Sequence, residues 1–449
     1  MPEPTDTSSG WPSPARAWYG LIVLTLGLLV ATVDRGVISL LIEPIKRDLL
    51  INDIDASLLI GGAFVAAYMW LGVPISFLAD TRSRRIIIAV GMAFWSVMTC
   101  LCGLASSYQQ IFWARVGVGA GESAFAPATY SIITDSFRPK DLARAIAVMS
   151  IGFTSGLALS SLVGGAVIKG LSDLPHVSLP LIGDVKVWQA AFIVVGLPGL
   201  LVAALTATVR EPKRRGLLNA GGSGARPRLL PARVILRFLY DERATFLPMF
   251  VGLGIKTLLG FGTGLWLPAF VMRTYHWAIP ETAFALGLIA LVTGIAGLIA
   301  GGWLTEWYAR RGYDDANIRV LLIATILVLP TSLAFPLMPS ATGALVLIGF
   351  NTFFASLGIG PANAALQIVT PNEMRGLVRA LYQFVFNVVG YFLGPLFVAF
   401  FTVVVFRDEG AIRYSLAAAA AITGPLAIWV TWWGLKPYVR SFQRAQARL

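Results

Sequence analysis

The chain has 449 residues, of which 57% are hydrophobic and only 13% are charged. Ordinary soluble domains carry about a quarter charged residues, so this composition excludes a water-soluble protein together with disordered, collagen-like and disulfide-rich classes. The net charge of +12 would suggest a nucleic-acid partner in a soluble protein, whereas a membrane protein concentrates Lys and Arg in its cytoplasmic loops.

Twelve apolar stretches are long enough to span a bilayer, which takes about 20 mostly apolar residues. Residues 1–17 are rich in Pro and Ser and are expected to be disordered; they lack the basic start and short apolar core of a signal peptide. The sequence therefore predicts an all-α polytopic membrane protein. The predicted spans are 18–41, 58–79, 86–106, 109–134, 143–170, 188–209, 244–272, 281–307, 318–338, 341–368, 377–406 and 411–435.

The longest hydrophilic stretch, 210–243, divides these spans six and six. It predicts an N-terminal six-helix bundle over 18–209, a C-terminal six-helix bundle over 244–435 and a cytoplasmic tail over 436–449. The end of the linker has the pattern of a short amphipathic helix on the membrane surface, with an ordinary structured linker as the alternative. The residues of that pattern are Arg233, Val234, Leu236, Arg237, Phe238 and Leu239.

Lys and Arg are distributed unequally over the loops. With the N-terminus in the cytoplasm, 25 of the 35 basic residues lie on the cytoplasmic side and seven on the other side, and three remain inside the spans. Cytoplasmic loops carry such an excess, so both termini are expected in the cytoplasm and the protein in the cell (inner) membrane. The basic charge then requires no nucleic acid.

The loop after the second span contains an acid followed by two arginines, and the loop after the eighth span repeats this spacing 226 residues later. The two copies are Asp80, Arg84 and Arg85, and Glu306, Arg310 and Arg311. Arg144-Ala145 and Arg379-Ala380 form a second echo, before the fifth and eleventh spans. Two six-helix halves with matching loops are typical of transporters built from parallel repeats.

These features resemble the major facilitator superfamily, whose loop signature is G-x-x-x-D-[RK]-x-G-[RK]-[RK]. The first copy departs from it at Ser76, Thr81 and Ser83. The resemblance implies a conformational latch, in which Asp80 accepts hydrogen bonds at a helix N-terminus and Arg84 pairs with acids of the other half. Plain anchoring of the cytoplasmic loop by the arginines is the alternative.

A finer resemblance is to the spinster group of lysolipid and sphingolipid transporters. It rests on VDRGVIS, which contains Asp34 and Arg35, and on RVGVGAGESAFAP in the fourth span. It implies a secondary active transporter that works by alternating access, is proton-coupled, and carries an amphipathic lipid-like or other anionic substrate. Because Asp-Arg in the first span also occurs in organic-anion symporters, a proton-coupled organic-anion or sugar symporter is the alternative.

Five charged residues lie inside the predicted spans: Asp34, Arg35, Arg115, Glu122 and Lys256. A charge at mid-bilayer costs about 2.5–3.5 kcal/mol on insertion scales, and such residues mark ion or substrate paths or form structural ion pairs. At about 1.5 Å per residue, Asp34 and Arg115 lie at nearly the same depth and can pair. Glu122 lies seven residues beyond Arg115, on the same helix face.

We expect Asp34 and Glu122 to carry protons and the three cations to bind substrate. Their charges sum to a positive excess, which calls for an anionic ligand. Gly119, between Arg115 and Glu122, is expected to leave room for the substrate or a proton path, with close helix packing as the alternative and as the expected role of Gly121.

Polar residues in the tenth and eleventh spans are interleaved with phenylalanines. They predict a cavity with a few polar points and broad apolar walls, which suits an amphipathic ligand. The expected substrate-binding residues there are Asn351, Phe354, Asn363, Gln367 and Asn387.

Other functional classes find little support in the sequence. The phosphate-binding loop of ATP-driven pumps is missing, and GFTSG at 152–156 lacks the spacing of a nucleophile elbow. His176 and His276 both fall in loops on the outer side, so neither an enzyme nor a metal site is expected; a channel or scramblase-like lipid path is a further alternative. We expect no cofactor. The expected partners are a small-molecule or lipid substrate, protons and membrane lipids, and we expect the protein to be a monomer.

Overall fold

The computed structural model describes residues 11–172, 178–179, 183–214, 232–371 and 374–447. Most of the tail that is expected to be disordered lies outside these ranges, as does the Gly-rich part of the linker. Within them the chain is almost entirely helical, and the twelve predicted spans appear in the predicted order.

The first half of the chain contains the first six spans. The fourth span is broken into two helices, and a short two-stranded hairpin lies between the fifth and the sixth. The elements are α1 (Pro14–Leu49), α2 (Asp53–Ser57), a π-helical turn (Leu58–Gly62), α3 (Ala63–Thr81), α4 (Arg84–Cys102), α5 (Tyr108–Glu122), α6 (Phe125–Ser136), α7 (Pro139–Ser172), β1 (Ser178–Leu179), β2 (Gly183–Asp184) and α8 (Val187–Thr208).

The second half repeats this plan with a broken tenth span and π-helical turns in the eleventh. Its elements are α9 (Ala232–Asp241), α10 (Arg243–Tyr275), α11 (Ile279–Arg310), α12 (Ala316–Ala334) with a 3₁₀ turn (Phe335–Leu337), α13 (Ala341–Leu357), α14 (Ile359–Val369), α15 (Arg375–Val385), a π-helical turn (Phe386–Leu393), α16 (Gly394–Phe400), a π-helical turn (Phe401–Phe406), a 3₁₀ turn (Glu409–Ala411) and α17 (Ile412–Gln446).

Ten helical stretches in the described part of the chain are long and apolar enough to cross a membrane. The fourth and fifth predicted spans fall short of this criterion, because the fourth is divided between α5 and α6 and the fifth contributes only the shorter apolar helix Ala158–Ser172. The ends of the spans differ from the prediction where polar residues continue a helix beyond the apolar core. Thus α1 begins at Pro14, where proline is favoured in the first helical turn, and α17 continues to Gln446.

The internal contacts of the chain divide it into two units. Unit 1 comprises Met1–Ile51 and Gly62–Gly222, and unit 2 comprises Asn52–Gly61 and Ser223–Leu449. The short segment Asn52–Gly61 therefore packs with unit 2 although it leads into α3.

Asp53 of that segment forms a two-point ion pair with Arg273 of α10, with N–O distances of 2.7 and 2.8 Å. Both side chains are largely buried. Arg273 also donates to the main-chain oxygen of Glu409 and lies 5.4 Å from the centre of the Trp266 ring. Paired donors on a carboxylate are the strongest ion-pair geometry in proteins, so this pair fixes α2 on unit 2.

A helix, α9, occupies the part of the linker where the amphipathic pattern lies. Phe238 and Leu239 pack against the apolar core of unit 2, and the Phe238 ring lies edge-on to Phe246 at 5.5 Å. Val234 is exposed, and the Leu236 side chain lies outside the described part of the structure. The helix is thus held by unit 2, and its position on a membrane surface stays a prediction.

A buried arginine of the first motif copy, Arg84, joins several segments at one end of unit 1. Arg84, which is 1% exposed, pairs with Asp135 of α6 and with Glu211, which follows α8; its Nε lies 2.7 Å from Glu211 Oε1. It also donates to Ser131 and to the main-chain oxygen of Pro212. One side chain therefore ties together three segments of the same unit.

Glu211 completes this network from its other side. It accepts hydrogen bonds from the Ser83 hydroxyl at 2.9 Å and from the main-chain N–H of Arg85 at 3.0 Å. Burial alone would raise the pKa of the Glu211 carboxyl, but the hydrogen bonds from Arg85, Arg84 and Ser83 outweigh it and hold that pKa below its ordinary value. The carboxylate thus also caps the start of α4, where a negative charge is favoured.

This arrangement corrects the expected partners of Arg84, because both of its acids come from its own half and neither from the other half. The second motif copy is built differently: Arg310 and Glu306 form an exposed pair on one helix face at 2.5 Å, and Arg311 lies over the Trp307 ring at 3.6 Å. The Asp80 side chain lies outside the described part of the structure. A latch between conformations at either copy stays a prediction.

We predict that Glu211→Gln lowers the thermal unfolding midpoint of the detergent-solubilised protein. The change removes a charged partner from buried Arg84, and we expect the free energy of unfolding to fall by about 1–3 kcal/mol. Breaking a fully buried ion pair costs about 3–5 kcal/mol, and the loss is smaller here because Glu211 is partly exposed. The pKa of the Glu211 carboxyl is lower in the folded state than in the unfolded chain, where it is about 4.3. The stabilisation by Glu211 is therefore present above pH about 4.3 and disappears as the pH falls through the folded-state pKa.

Glu306→Gln is the matched control, since it removes the same charge from the exposed copy of the motif. Surface pairs contribute at most about 1 kcal/mol, so its midpoint should stay close to that of the wild type. Equal midpoints for the two variants at neutral pH would contradict the structural role of the Arg84 network.

Candidate functional site

Four charged side chains meet inside unit 1. Asp34 and Arg35 come from α1, and Arg115 and Glu122 from α5. Asp34, Arg115 and Glu122 are at most 1% exposed. Glu122 is the last residue of α5, directly before the break that separates it from α6. The two helices thus bring two acids and two arginines together in the unit interior, as the depth calculation for α1 and α5 predicts.

Arg35 is the ion-pair partner of Glu122 in this cluster. Its Nε donates to Glu122 Oε2 at 2.5 Å, and Nη2 reaches the same oxygen. Its guanidinium lies 4.7 Å from the ring centre of Phe64 and 5.6 Å from that of Tyr68, both on α3. The Arg35 side chain is 24% exposed, so it is the member of the cluster that a ligand can approach.

Asp34 and Arg115 are neighbours through the main chain. Arg115 Nη1 donates to the main-chain oxygen of Asp34 at 3.5 Å, and the Thr99 hydroxyl donates to Asp34 Oδ2 at 3.3 Å. Arg115 also lies 6.0 Å from the ring centre of Phe64. Sequence reasoning missed Thr99, Phe64 and Tyr68, although the i, i+4 spacing of the two aromatic residues places them on one helix face.

One oxygen of each acid lies outside hydrogen-bond geometry with every described residue, although the Trp95 side chain interacts with the Asp34 carboxyl. Asp34 Oδ1 and Glu122 Oε1 are buried and have no partner among the described residues. A buried polar atom without a partner costs about 1–3 kcal/mol, more when it is charged, so such atoms persist where they serve a function. A carboxyl oxygen in this position can receive a proton, and both acids of the cluster offer one.

The room expected beside Gly119 is missing. A Cβ atom there would lie 3.0 Å from the main-chain carbon of Phe64, because α5 and α3 approach closely at this point. Gly121 makes a similar close approach to Gly91 and Trp95 of α4, as expected for it. Both glycines therefore serve helix packing, and the space for a substrate beside Gly119 was a wrong expectation.

Lys256 of α10 lies inside unit 2, at the break between α13 and α14. Its Nζ donates to the main-chain oxygen of Ala355 at 3.4 Å, and it occupies the space beside Gly358. None of the ion pairs in the described part of the chain includes Lys256. The structure thus places four of the five intramembrane charges in the cluster of unit 1 and the fifth, Lys256, in unit 2.

The polar residues of the tenth and eleventh spans occupy separate places. Asn351 donates to Thr331 at 2.9 Å and to Ser332 at 2.7 Å, which ties α13 to α12. Phe354 stacks on Phe350 with ring centres 6.2 Å apart and packs against an apolar cluster of unit 2. These contacts hold Asn351 and Phe354 within unit 2, and their part in substrate binding stays a prediction.

The remaining three amides are closer to the expectation. Asn363 and Gln367 line a small cleft together with Arg379. The Asn363 and Asn387 side chains each donate to a main-chain oxygen one turn earlier in their own helix, at 2.9 and 3.0 Å. Their part in substrate binding stays a prediction.

Comparisons with known proteins agree on a family. The family model of the Major Facilitator Superfamily matches residues 24–395. An "MFS-type efflux pump" of Mycolicibacterium smegmatis is 25% identical over 422 residues, which is 93% of each chain. A "Probable L-galactonate transporter" of Escherichia coli is 24% identical over 381 residues, covering 81% of this chain and 78% of the relative.

Among solved structures, a bacterial homologue of the human lysosomal transporter Spinster, in an inward-facing and unoccupied conformation, has a TM-score of 0.78. It is 25% identical, and the match covers 97% of this chain and 99% of that one. Together with the family match over most of the chain, this similarity identifies the kind of protein: the chain is a multi-pass membrane transporter, not an enzyme, and it belongs to the major facilitator superfamily, within which it resembles the spinster group.

Proposed function

We propose that this transporter couples the movement of an anionic, amphipathic substrate to protons and works by alternating access. The observation that carries the proposal is the buried pair of Arg35 and Glu122, beside two carboxyl oxygens, on Asp34 and Glu122, that accept no hydrogen bond among the described residues. Buried acids that can take up a proton are the usual carriers of proton coupling in membrane transporters.

The pair provides a direct link between a proton and an anion. As long as Glu122 is ionised, it neutralises Arg35, and an anionic ligand has to compete with a carboxylate in direct contact. A proton on Glu122 removes that competition, and Arg35 can then pair with the anion of the substrate. Because the proton and the anion are loaded in the same step, the two move together, which is symport.

Arg115 and Asp34 have the other two roles. Arg115 is fully buried and contacts the main chain of Asp34, so it holds α1 and α5 in register and fixes the local positive charge. Asp34 Oδ1 is the second proton position. With both acids ionised the four charges of unit 1 balance, and each proton that binds leaves one positive charge for a substrate anion to neutralise.

The substrate class follows from the surroundings of Arg35. Phe64 and Tyr68 flank its guanidinium with apolar rings, so an anionic group with an attached apolar chain fits there better than a small inorganic anion. A mouse relative named as a sphingosine-1-phosphate transporter, which is 22% identical over 311 residues, supports a lipid-like substrate. The E. coli relative named as an L-galactonate transporter supports the alternative, an organic-anion symporter, which would use the same arginine.

The setting of the transporter is part of the same proposal. The excess of Lys and Arg in one set of loops supports a cell (inner) membrane location with both termini in the cytoplasm. Protons and membrane lipids are the further partners, and one chain is expected to act alone, since it holds both six-span halves that the mechanism requires.

We predict that Asp34→Asn and Glu122→Gln abolish uptake driven by a pH gradient. The measurement is uptake of labelled lysophosphatidate into proteoliposomes with an imposed gradient, and we expect rates to fall by about tenfold or more, equivalent to about 1.4 kcal/mol. Glu122→Gln should still bind the ligand, with an affinity that no longer varies with pH. Glu306→Gln, which changes an exposed acid, serves as the control, and proton-driven uptake that survives in both test variants would rule out the proton-coupled mechanism.

We also predict that Arg35→Ala discriminates between charged and neutral ligands. Binding of lysophosphatidate to the purified protein should weaken by about tenfold or more, whereas a monoacylglycerol with the same tail should change little, because hydrogen bonds to charged groups are worth about 1.5–3 kcal/mol. Arg310→Ala is the control on an exposed arginine. Equal losses for both ligands would mean that Arg35 is structural, and binding of galactonate but of neither lipid would select the organic-anion alternative.

A further inference from the structure

The tenth span is interrupted at a single glycine. Helix α13 ends at Leu357, α14 begins at Ile359, and Gly358 stands between them with φ −87° and ψ −8°. Any residue can adopt this conformation, so the backbone does not require glycine here. The reason for a glycine at this position has to be the absence of a side chain.

The ammonium of Lys256 fills the space beside Gly358. A Cβ atom on residue 358 would contact Lys256 Nζ too closely for both atoms to keep their places, and it would also lie 3.1 Å from Leu321 Cδ1 and 3.2 Å from Ala324 Cβ. Leu321 and Ala324 belong to α12, so α12 and the lysine together bound the space at residue 358, and an added methyl group there would move the flexible end of Lys256 away from its present place. Glycine at 358 is the condition for the ammonium to be where it is.

The ammonium is held by the main chain instead of by an acid. Its hydrogen bond goes to the oxygen of Ala355, in the last turn of α13, where the helix dipole favours a positive charge. A dipole end carries about half an elementary charge, so it neutralises a lysine only in part. No carboxylate in the described part of the chain pairs with this lysine, in contrast to Arg35, which Glu122 neutralises.

We propose that Gly358 is a positioning residue that holds Lys256 of unit 2 in place as an anion-binding group, ready to bind without first losing an acid partner. The inference rests on the proposed function, because it assigns the lysine to an anionic group of the substrate class proposed there. The ligand it fits is a phosphate or carboxylate group, which replaces the single carbonyl contact by an ionic one. Binding at Lys256 displaces no carboxylate, unlike binding at Arg35.

The test compares Gly358→Ala with Gly360→Ala. Gly360 lies two residues further along, in the first turn of α14, and a Cβ atom there meets no other atom within 4 Å, so it reports the effect of an added methyl group near the break that does not touch Lys256. Binding of lysophosphatidate to the purified full-length protein should weaken by about tenfold in Gly358→Ala and stay within about twofold in Gly360→Ala. The neutral monoacylglycerol should bind all three proteins alike.

Lys256→Ala and the double variant Lys256→Ala/Gly358→Ala complete the cycle, with thermal unfolding as a second measurement. Removing the lysine makes room for the added methyl group, so the unfolding midpoint lost in Gly358→Ala should be largely regained in the double variant, and its lysophosphatidate affinity should equal that of Lys256→Ala. Additive changes in the unfolding midpoint would overturn the positioning role of Gly358.

The remaining outcomes separate this inference from the proposed function. If the midpoints show the expected coupling but Lys256→Ala binds lysophosphatidate like the wild type, Lys256 is only a helix cap and the inference fails. In that case an intact effect of Arg35→Ala leaves the proposed function standing. If Arg35→Ala and Glu122→Gln have no effect while the Lys256 variants do, the proposed proton-linked function fails and the anion site in unit 2 is supported.

Discussion

The ion pair between Arg35 and Glu122 is the interaction on which the interior of unit 1 depends. It joins α1 to the end of α5 in surroundings where an unpaired charge would cost several kcal/mol. Breaking such a pair without compensation leaves an uncompensated buried charge, so its two partners have to change together. A proton for Glu122 and an anion for Arg35 are the two compensating partners that a membrane transporter can exchange with its surroundings.

The same constraint explains how charge is divided between the two units. The five intramembrane charges have a positive excess. Two arginines lie beside two acids in unit 1, whereas the Lys256 ammonium of unit 2 donates to a carbonyl oxygen of α13 and pairs with no acid among the described residues. Under the proposed function, the neutral cluster of unit 1 responds to protons and the lysine of unit 2 binds anions. The two units therefore differ in chemistry although they share one architecture.

The sequence predicted the spans and the approach of α1 to α5 because both follow from apolar length and rise per residue. Other features depend on tertiary contacts that periodicity does not contain. Counting could place Asp34 beside Arg115, but which arginine pairs with Glu122 depends on how the side chains are directed. Likewise, Arg84 pairs with Glu211 in addition to Asp135. Glu211 lies more than 120 residues away along the chain, and no loop motif points to it.

Gly119 was misjudged for the same reason, since a glycine between two charged residues can mean either space or close packing, and only the position of α3 decides.

The breaks in the fourth and tenth spans connect the repeat to the chemistry. Ser123, after Glu122, and Gly358, beside Lys256, are separated by 235 residues, the same interval that separates Arg144 from Arg379. The two interruptions therefore occupy equivalent positions in the two halves. A break in a spanning helix exposes main-chain groups that need partners within the membrane, so it is tolerated where polar side chains are concentrated. One half meets this need with an acid paired to an arginine, and the other with a lysine that donates to the main chain at the break. Under the proposed function, these two positions give one half its response to protons and the other its affinity for anions.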